Sequence, residues 1–169
     1  KLGAKISFEP GFESNFSGLF GMNRLDNNWI LTGELNLQME NYFKSAERGE
    51  FFWRRIDSLS QTIKIGTILP HPFGWRTGVD INYQHEIFRG LYASTENRYL
   101  LSTYFPLIGT TGFGYVTGKT TPTLIGKENG YEKTSYYAFS LFSKKENIND
   151  RYLPTSGNAM KINADGGLD

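Results

Sequence analysis

Apolar and polar residues alternate along much of the chain, with the period of two that a strand with one apolar face shows. The clearest stretches cover 30–42 and 75–88, and a third covers 59–66. In the second stretch, Val79 lies on the apolar face and Asp80 on the polar one. No stretch has the 3.6-residue period of an amphipathic helix. The pattern therefore predicts an all-β chain with essentially no helix.

Weaker alternation completes a set of nine stretches. The other six lie at 4–12, 17–25, 97–106, 111–119, 135–144 and 160–165. The stretches at 30–42 and 75–88 reach the ~9–11 residues that a tilted membrane-crossing strand needs, whereas a strand in a water-soluble protein averages ~5–6. The fold prediction is an antiparallel up-and-down transmembrane β-barrel, with about eight strands visible. A soluble β-sandwich with an aromatic core is the alternative.

The composition and the spacing of rings and loops favour the barrel. The 169 residues include 13 Phe, 10 Tyr, 3 Trp and 19 Gly, yet only 38% are hydrophobic. Several rings lie near predicted strand ends, where aromatic side chains would meet the lipid headgroups. They are Trp29, Tyr42, Phe43, Phe51, Phe52, Trp53 and Trp75. Compact turns at 25–28, 69–74, 106–110 and 150–157 are expected at one end, and charged loops at 43–50, 89–96 and 119–134 at the other.

The chemistry of the chain argues against several functions. The formal net charge is +1, so no nucleic-acid-binding surface is expected. There is no cysteine, and two histidines cannot build a metal site. No catalytic sequence motif is present. We therefore predict neither enzyme activity nor a metal nor another cofactor. His85 is expected at a membrane interface. The inward carboxylates are expected to line a solvated lumen or to pair with Lys64 and Arg76; they are Glu34, Glu40, Asp80 and Glu86.

Two predicted turns have a more specific sequence. One contains Pro70, Pro72, Phe73 and Gly74, and the other contains Asp150, Arg151, Pro154 and Gly157. Both resemble turns of the bacterial surface antigen superfamily, which includes the BamA-type and TamA-type outer-membrane assembly factors, and 35–50 resembles its second hairpin more weakly. The resemblance implies the sixteen-stranded barrel of that family. Residues 1–169 would then be one barrel domain or part of one, without a periplasmic domain. The chain is interpreted as half of a larger barrel, as a short relative, or as one of two copies that complete a sheet.

The resemblance also implies a function. In that family, the first barrel strand pairs weakly with the last and accepts a strand of a client protein. The gate-strand candidates in this chain are Lys5, Ile6, Phe8, Pro10, Gly11 and Phe12. Pro10 lacks a backbone donor and Gly11 weakens strand pairing. Ile6, Phe8 and Phe12 would face lipid, while Lys5, Ser7 and Glu9 would face the lumen.

The expected location is the bacterial outer membrane. The expected partners are outer-membrane lipid, unfolded client β-barrel proteins and further copies of the chain, which would associate through open sheet edges. The alternative function is that of a small passive eight-stranded outer-membrane protein with a structural or adhesive role.

Overall fold

Antiparallel β-strands make up most of the computed structural model, which describes residues 14–25, 28–148 and 157–168. The nine strands are β1 (Asn15–Leu25), β2 (Asn28–Glu40), β3 (Arg48–Arg55), β4 (Gln61–Leu69), β5 (Thr77–Phe88), β6 (Tyr92–Phe105), β7 (Gly109–Pro122), β8 (Thr134–Ile148) and β9 (Gly157–Leu168). The helical residues in these ranges are a five-residue helix, α1 (Leu124–Glu128), and a single 3-10 turn at Pro72–Gly74. The all-β prediction is confirmed.

The strands form one up-and-down sheet in which each strand pairs with the next one along the chain. The order is β1-β2-β3-β4-β5-β6-β7-β8-β9, and every pairing is antiparallel. Within the described ranges, β1 and β9 each have a neighbour on one side only. The strands are 8 to 15 residues long, and seven of the nine have 11 residues or more.

The third strand was missed by the sequence analysis, which assigned 43–50 to a charged loop and the rings after it to a strand end. Phe51, Phe52 and Trp53 lie inside β3. Three rings in succession hide the alternation, because Phe52 is an apolar residue on the polar side of the strand. The structure also extends two strands into predicted loops, since β6 begins at Tyr92 and β7 ends at Pro122. The predicted strand at 4–12 lies outside the described residues.

The added strand changes which connections share an end of the sheet. Successive connections alternate between the two ends, because every strand reverses direction. The connections 41–47, 70–76 and 106–108 therefore lie at one end, and 56–60, 89–91 and 123–133 at the other. The prediction that compact turns and charged loops separate by end is wrong. It placed 43–50 together with 89–96, and the structure places them at opposite ends.

The strands are staggered diagonally across the sheet. A straight line of paired residues crosses all nine strands through Asn15, Gln38, Glu50, Gly66, Asn82, Arg98, Val116, Ala138 and Gly167. This line meets β1 at its first residue but β9 near its last. A cumulative stagger of this kind is what tilts the strands of a barrel wall.

The described residues form a single layer without an apolar core. None of their hydrophobic side chains is buried, and large ones such as Leu19 (76% exposed) and Phe16 (67% exposed) lie open. A sandwich would need a second layer to cover one face of this sheet, and the described residues form one sheet only.

Candidate functional site

The most distinctive feature of the molecule is the contrast between the two faces of its sheet. Side chains alternate between faces along a strand, and the observed registers keep like residues together across all nine strands. We call one side the apolar face. Its central residues include Phe20, Met22, Leu35, Leu37, Phe51, Trp53, Ile63, Ile65, Val79, Ile81, Tyr99, Leu101, Phe113, Tyr115, Phe139, Leu141, Ile162 and Ala164.

Aromatic rings contact each other along the apolar face. Tyr115 packs against Phe139 with ring centroids 5.0 Å apart, and Phe113 stacks on the same ring at 5.8 Å. Phe20 and Trp53 stack at 6.2 Å. These contacts connect neighbouring side chains within the layer, but they leave the outer surface of the rings exposed, as in Phe139 (46%) and Phe20 (55%).

The opposite side, which we call the polar face, carries charged and amide groups along most of its length. Its residues include Glu34, Gln38, Arg48, Glu50, Arg54, Lys64, Asp80, Asn82, Gln84, Glu96, Arg98, Tyr136, Ser140, Lys161 and Asp165. Charged side chains on this scale need water or a partner. The two faces therefore differ in what they can contact: the polar face suits water, and the apolar face suits an apolar surrounding.

Oppositely charged side chains of neighbouring strands form ion pairs on the polar face. Arg54 contacts Glu34 at 2.7 Å, and Arg48 contacts Glu40 at 2.6 Å. The sequence analysis expected the inward carboxylates to line a solvated lumen or to pair with Lys64 and Arg76. Glu34 and Glu40 pair instead with two arginines of the missed strand β3. At the exposure of these groups each pair contributes about 0.2–1 kcal/mol, so the pairs organise the face more than they stabilise it.

A second polar cluster lies on β5, β6 and β8. Arg98 contacts Glu96 at 3.1 Å, and the Tyr136 hydroxyl donates to the same carboxylate at 2.6 Å. The Asn82 amide donates to Asp80 at 2.5 Å. The inward carboxylate Glu86 lies on the same face of β5. Glu96 and Asp80 are therefore each hydrogen-bonded to a side chain of the same face. Among the described residues no cluster of histidine and carboxylate side chains could hold a metal ion.

A groove of about 500 Å³ crosses the polar face over β6 to β9. Small residues form its floor, since β7 has Gly114 there and β8 has Ala138 and Ser140. Phe142 and Lys161 are among the larger side chains along it. Glycines of β7 are required by close packing: a Cβ built on Gly112 would lie 2.3 Å from the Phe142 ring.

The first predicted turn motif lies in the connection 70–76. Phe73 has φ of 57° and Gly74 has φ of 76°, so the chain reverses through two left-handed residues. Such a conformation strains Phe73 but not Gly74. The His71 ring contacts the Trp75 carbonyl oxygen at 3.2 Å, and the Trp75 backbone N–H donates to Pro72 at 3.0 Å. The turn holds the Phe73 ring outward, where it is 92% exposed.

The second turn motif and the gate-strand candidates are not placed by the structure. Asp150, Arg151 and Pro154 lie outside the described residues, and Gly157 is the first residue of β9. Lys5, Ile6, Phe8, Pro10, Gly11 and Phe12 also lie outside the described residues. These assignments remain predictions.

Exposed rings gather at the end that carries the connections 41–47, 70–76 and 106–108. Tyr42 and Phe43 meet edge to face at 5.2 Å, and Phe73 lies 5.8 Å from Trp75. Tyr104 is 68% exposed at the same end. A cleft of about 340 Å³ separates the first two of these connections, with Phe43 and Phe73 in its lining. Sequence analysis placed Tyr42, Phe43 and Trp75 near strand ends but did not single out Tyr104. It also assigned Phe51, Phe52 and Trp53 to a strand end.

A structured loop cluster covers the other end, and sequence analysis did not anticipate it. The Thr123 hydroxyl donates to the Gly90 carbonyl at 2.6 Å and begins α1 by accepting from the Gly126 N–H. The Gly90 N–H donates to Leu59 at 2.8 Å. Hydrogen bonds thus join the connections 56–60, 89–91 and 123–133. His85, the predicted interface residue, lies nearby on β5, and its ring contacts the Thr95 hydroxyl at 2.9 Å.

Comparison of the chain with known protein families, with curated proteins and with solved structures finds no match. Neither helix in the described part of the chain has the length and apolar content of a membrane-spanning helix.

Proposed function

We propose that this chain forms the wall of a bacterial outer-membrane β-barrel. One observation carries the proposal: a single sheet has one face of exposed apolar side chains and one face of charged side chains, with no buried apolar core among the described residues. Lipid hydrocarbon against the apolar face and an aqueous lumen against the polar face would give each face a suitable surrounding.

The energetics favour this arrangement over exposure of the sheet to water. Each Å² of apolar surface taken out of water contributes about 25 cal/mol. The apolar face has large exposed side chains on every described strand except β3, including Leu31, Ile65, Leu101 and Leu141. The backbone of the seven inner strands is paired on both sides, as a segment in hydrocarbon requires.

The aromatic rings at the strand ends fit the same placement. Trp75 is exposed at one end of the sheet and Trp29 at the other. Amphipathic rings prefer the headgroup layer at each membrane surface. We infer that the two bilayer surfaces lie near these rings, and that the wall acts by shape and charge without an enzymatic step.

Cysteine scanning along β5 tests the membrane placement. The natural chain has no cysteine, so each substitution introduces a single thiol. In lipid vesicles, cysteines at Val79, Ile81 and Tyr83 should be protected from a water-soluble maleimide. Cysteines at Asp80, Asn82 and Gln84 should react. Equal reactivity of the two sets would contradict the proposal, and labelling in denaturant is the control for thiol competence.

Beyond the membrane placement, we propose that this barrel assists the insertion or translocation of other proteins through a weakly paired first-strand edge at 4–12. The turn sequences that resemble the bacterial surface antigen superfamily support it. So does the need of every sheet edge in hydrocarbon for a partner strand. The alternative is a passive barrel with a structural or adhesive role.

Crosslinking to a client separates these two functions. A photoreactive or thiol crosslinker placed along 4–12 should capture an unfolded β-barrel client more strongly than the same crosslinker on β5, at Asn82. Equal capture of the client at 4–12 and at Asn82 would contradict the assembly function and favour the passive barrel.

A further inference from the structure

The polar face loses its charges where it crosses β7. On this side β7 has Gly112, Gly114 and Gly118 and no charged residue. Leu100 of β6 lies opposite Gly114, and Phe142 of β8 lies opposite Gly112. An apolar strip therefore interrupts the charged surface.

Glycines keep this strip recessed. A Cβ built on Gly114 would overlap the Ser140 hydroxyl, and one built on Gly118 would overlap the Tyr136 ring. The β8 side chains therefore lie close to the β7 backbone, which leaves room for the groove of about 500 Å³ over β6 to β9. A volume of roughly 300–1,000 Å³ with a mostly apolar lining and a few charged groups is typical of small-molecule sites.

Lysines of two strands meet at one end of the groove. Lys144 of β8 lies directly opposite Lys161 of β9, and both exposed side chains line the groove. Like charges at such positions repel each other, so an anion held between them relieves that repulsion. The carboxylate in the lining, Asp165, lies opposite Ser140. Along β9 it is roughly 14 Å from Lys161, at about 3.4 Å per residue. The lysine pair therefore favours an anionic ligand group at this end.

The other end of the groove is apolar, and its arginine is already paired. Val116 lies opposite Ala138 there, and Arg98 lies opposite Val116. Arg98 contacts Glu96 at 3.1 Å, so its charge is balanced within the wall. Along β8, Ala138 lies roughly 20 Å from Lys144, at about 3.4 Å per residue. The groove thus has a positive end and a long apolar part.

We propose that this groove binds a single-chain aliphatic anion of the fatty-acid type. The carboxylate lies between Lys144 and Lys161, where charge-assisted hydrogen bonds hold it. The chain lies along Phe142, Leu100 and Val116. These side chains are half-buried in the wall, and methylene groups placed against them remove further apolar surface from water.

The source of the ligand follows from the side of the wall on which the groove lies. This inference rests on the proposed membrane placement, in which the polar face lines an aqueous lumen. A single-chain anion dissolves in water as a monomer and reaches that lumen. A two-chain phospholipid stays in the bilayer, on the opposite side of the wall. The ligand is therefore a free fatty-acid-type anion and not a bilayer lipid.

Photolabelling locates the chain of the ligand. Dodecanoate with a diazirine at its chain end is irradiated with the full chain in phosphatidylcholine vesicles, and mass spectrometry identifies the labelled residues. Dodecanoate in the groove should label Leu100, Val116 or Ala138 on the polar face. Dodecanoate dissolved in the bilayer should label apolar-face neighbours such as Tyr99 and Tyr115. Excess unlabelled dodecanoate should suppress the polar-face labelling, and dodecanol, which lacks the charge, should compete about tenfold less well.

Two lysine variants test the anionic end. Lys161→Gln and Lys144→Gln should each weaken competition by dodecanoate about tenfold, the effect of losing one charge-assisted hydrogen bond. Lys64→Gln is the matched control, because Lys64 lies on the polar face of β4 and outside the groove lining. It should leave competition unchanged, and circular dichroism verifies the β-sheet of each variant. Equal competition in all three variants, or by dodecanol, would overturn the anionic site.

A bulky residue in the apolar part of the groove provides an independent test. Ala138→Phe fills the groove without removing a charge, and it should abolish the competed labelling at Leu100 and Val116. Thr62→Phe, on the polar face of β4, is the control and should preserve it. Undiminished labelling in Ala138→Phe would contradict a ligand chain at this place.

The failures of the two proposals are distinguishable. Labelling confined to the apolar face would overturn the groove site while the membrane placement stands. Absence of apolar-face labelling in vesicles would contradict the membrane placement itself. Dihexanoylphosphatidylglycerol, a two-chain anion that is soluble as a monomer, tests the source of the ligand. If it competes as well as dodecanoate, the assignment of a single-chain ligand is wrong.

Discussion

At the scale of single residues, Glu47 explains how the connection 41–47 keeps an unfavourable backbone. Asn41, Lys44 and Ala46 all have left-handed φ angles, between 54° and 61°. The Glu47 carboxylate accepts hydrogen bonds from the Phe43 and Ser45 N–H groups, the latter at 2.9 Å. The side chain is 7% exposed. A strained loop of this kind persists when local bonds over-determine it, and Glu47 supplies two of those bonds.

The protonation of Glu47 should control the shape of this loop. Desolvation raises the pKa of Glu47, but hydrogen bonds from the Phe43, Glu47 and Ser45 N–H groups lower it, and the net pKa lies below the ordinary 4.5. A lowered folded pKa stabilises the loop above the unfolded pKa, and this stabilisation is lost as pH falls through the folded value. Hydrogen exchange at Ser45 should therefore accelerate at acidic pH beyond its intrinsic pH dependence.

The variant Glu47→Gln separates charge from shape. It should show fast Ser45 exchange at neutral pH as well, because a neutral amide accepts these bonds less strongly. The N–H of Ile65, within the β3–β4–β5 ladder, is the internal control and should not change. Unchanged Ser45 protection in the variant would mean that the loop does not depend on the carboxylate.

In the loop cluster formed by the connections 56–60, 89–91 and 123–133, Gly126 leaves no room for a side chain. A Cβ built there would lie 1.9 Å from the Leu91 carbonyl oxygen, and backbone cannot move aside as a side chain can. Gly126→Ala should separate α1 from the connection 89–91 and destabilise the protein by roughly 1–3 kcal/mol, the cost of an overpacked site. Lys127→Ala, on an exposed neighbour, is the control. Thermal unfolding in vesicles measures both, and equal midpoints would contradict this account.

At the scale of elements, the sequence predicts strands well where alternation is regular and poorly where it is broken. The predicted 75–88 corresponds to β5, which spans Thr77–Phe88, because its apolar positions repeat without a break. β3 was missed because consecutive rings at Phe51, Phe52 and Trp53 remove the period of two. Pairing with Glu34 and Ile63 on its neighbours, which no local window contains, fixes that segment as a strand.

The two faces of one strand should respond oppositely to the same substitution. Ile81→Lys places an ammonium group on the apolar face near the middle of β5, where a charge that faces lipid costs about 2–4 kcal/mol. Asn82→Lys places it on the polar face, beside water and Asp80. Unfolding by denaturant in vesicles should show a large loss for the first and a small change for the second. Comparable losses would indicate that the faces are not in different solvents.

At the scale of the whole molecule, the sequence predicts the two faces of the sheet but not the partners of the side chains on them. The division into an apolar and a polar face follows from alternation alone, since like residues must stay together across a sheet with one register. The particular partners on the polar face did not follow. Glu34 and Glu40 pair with arginines of the missed strand, and the placement of each loop at one end or the other depends on counting every strand.

The absence of an apolar core among the described residues sets a condition on folding of the whole molecule. Hydrophobic burial is the main force that offsets the loss of chain entropy, and under the membrane proposal detergent or lipid should supply the apolar contacts. Dilution from urea into micelles should restore the circular dichroism of a β-sheet and shift the tryptophan emission to shorter wavelength. Dilution into buffer alone should give aggregates through the exposed edges and the apolar face. A monomer with full β-sheet signal in buffer without detergent would mean that the apolar face is covered by the chain itself, and the membrane proposal would then fail at its foundation.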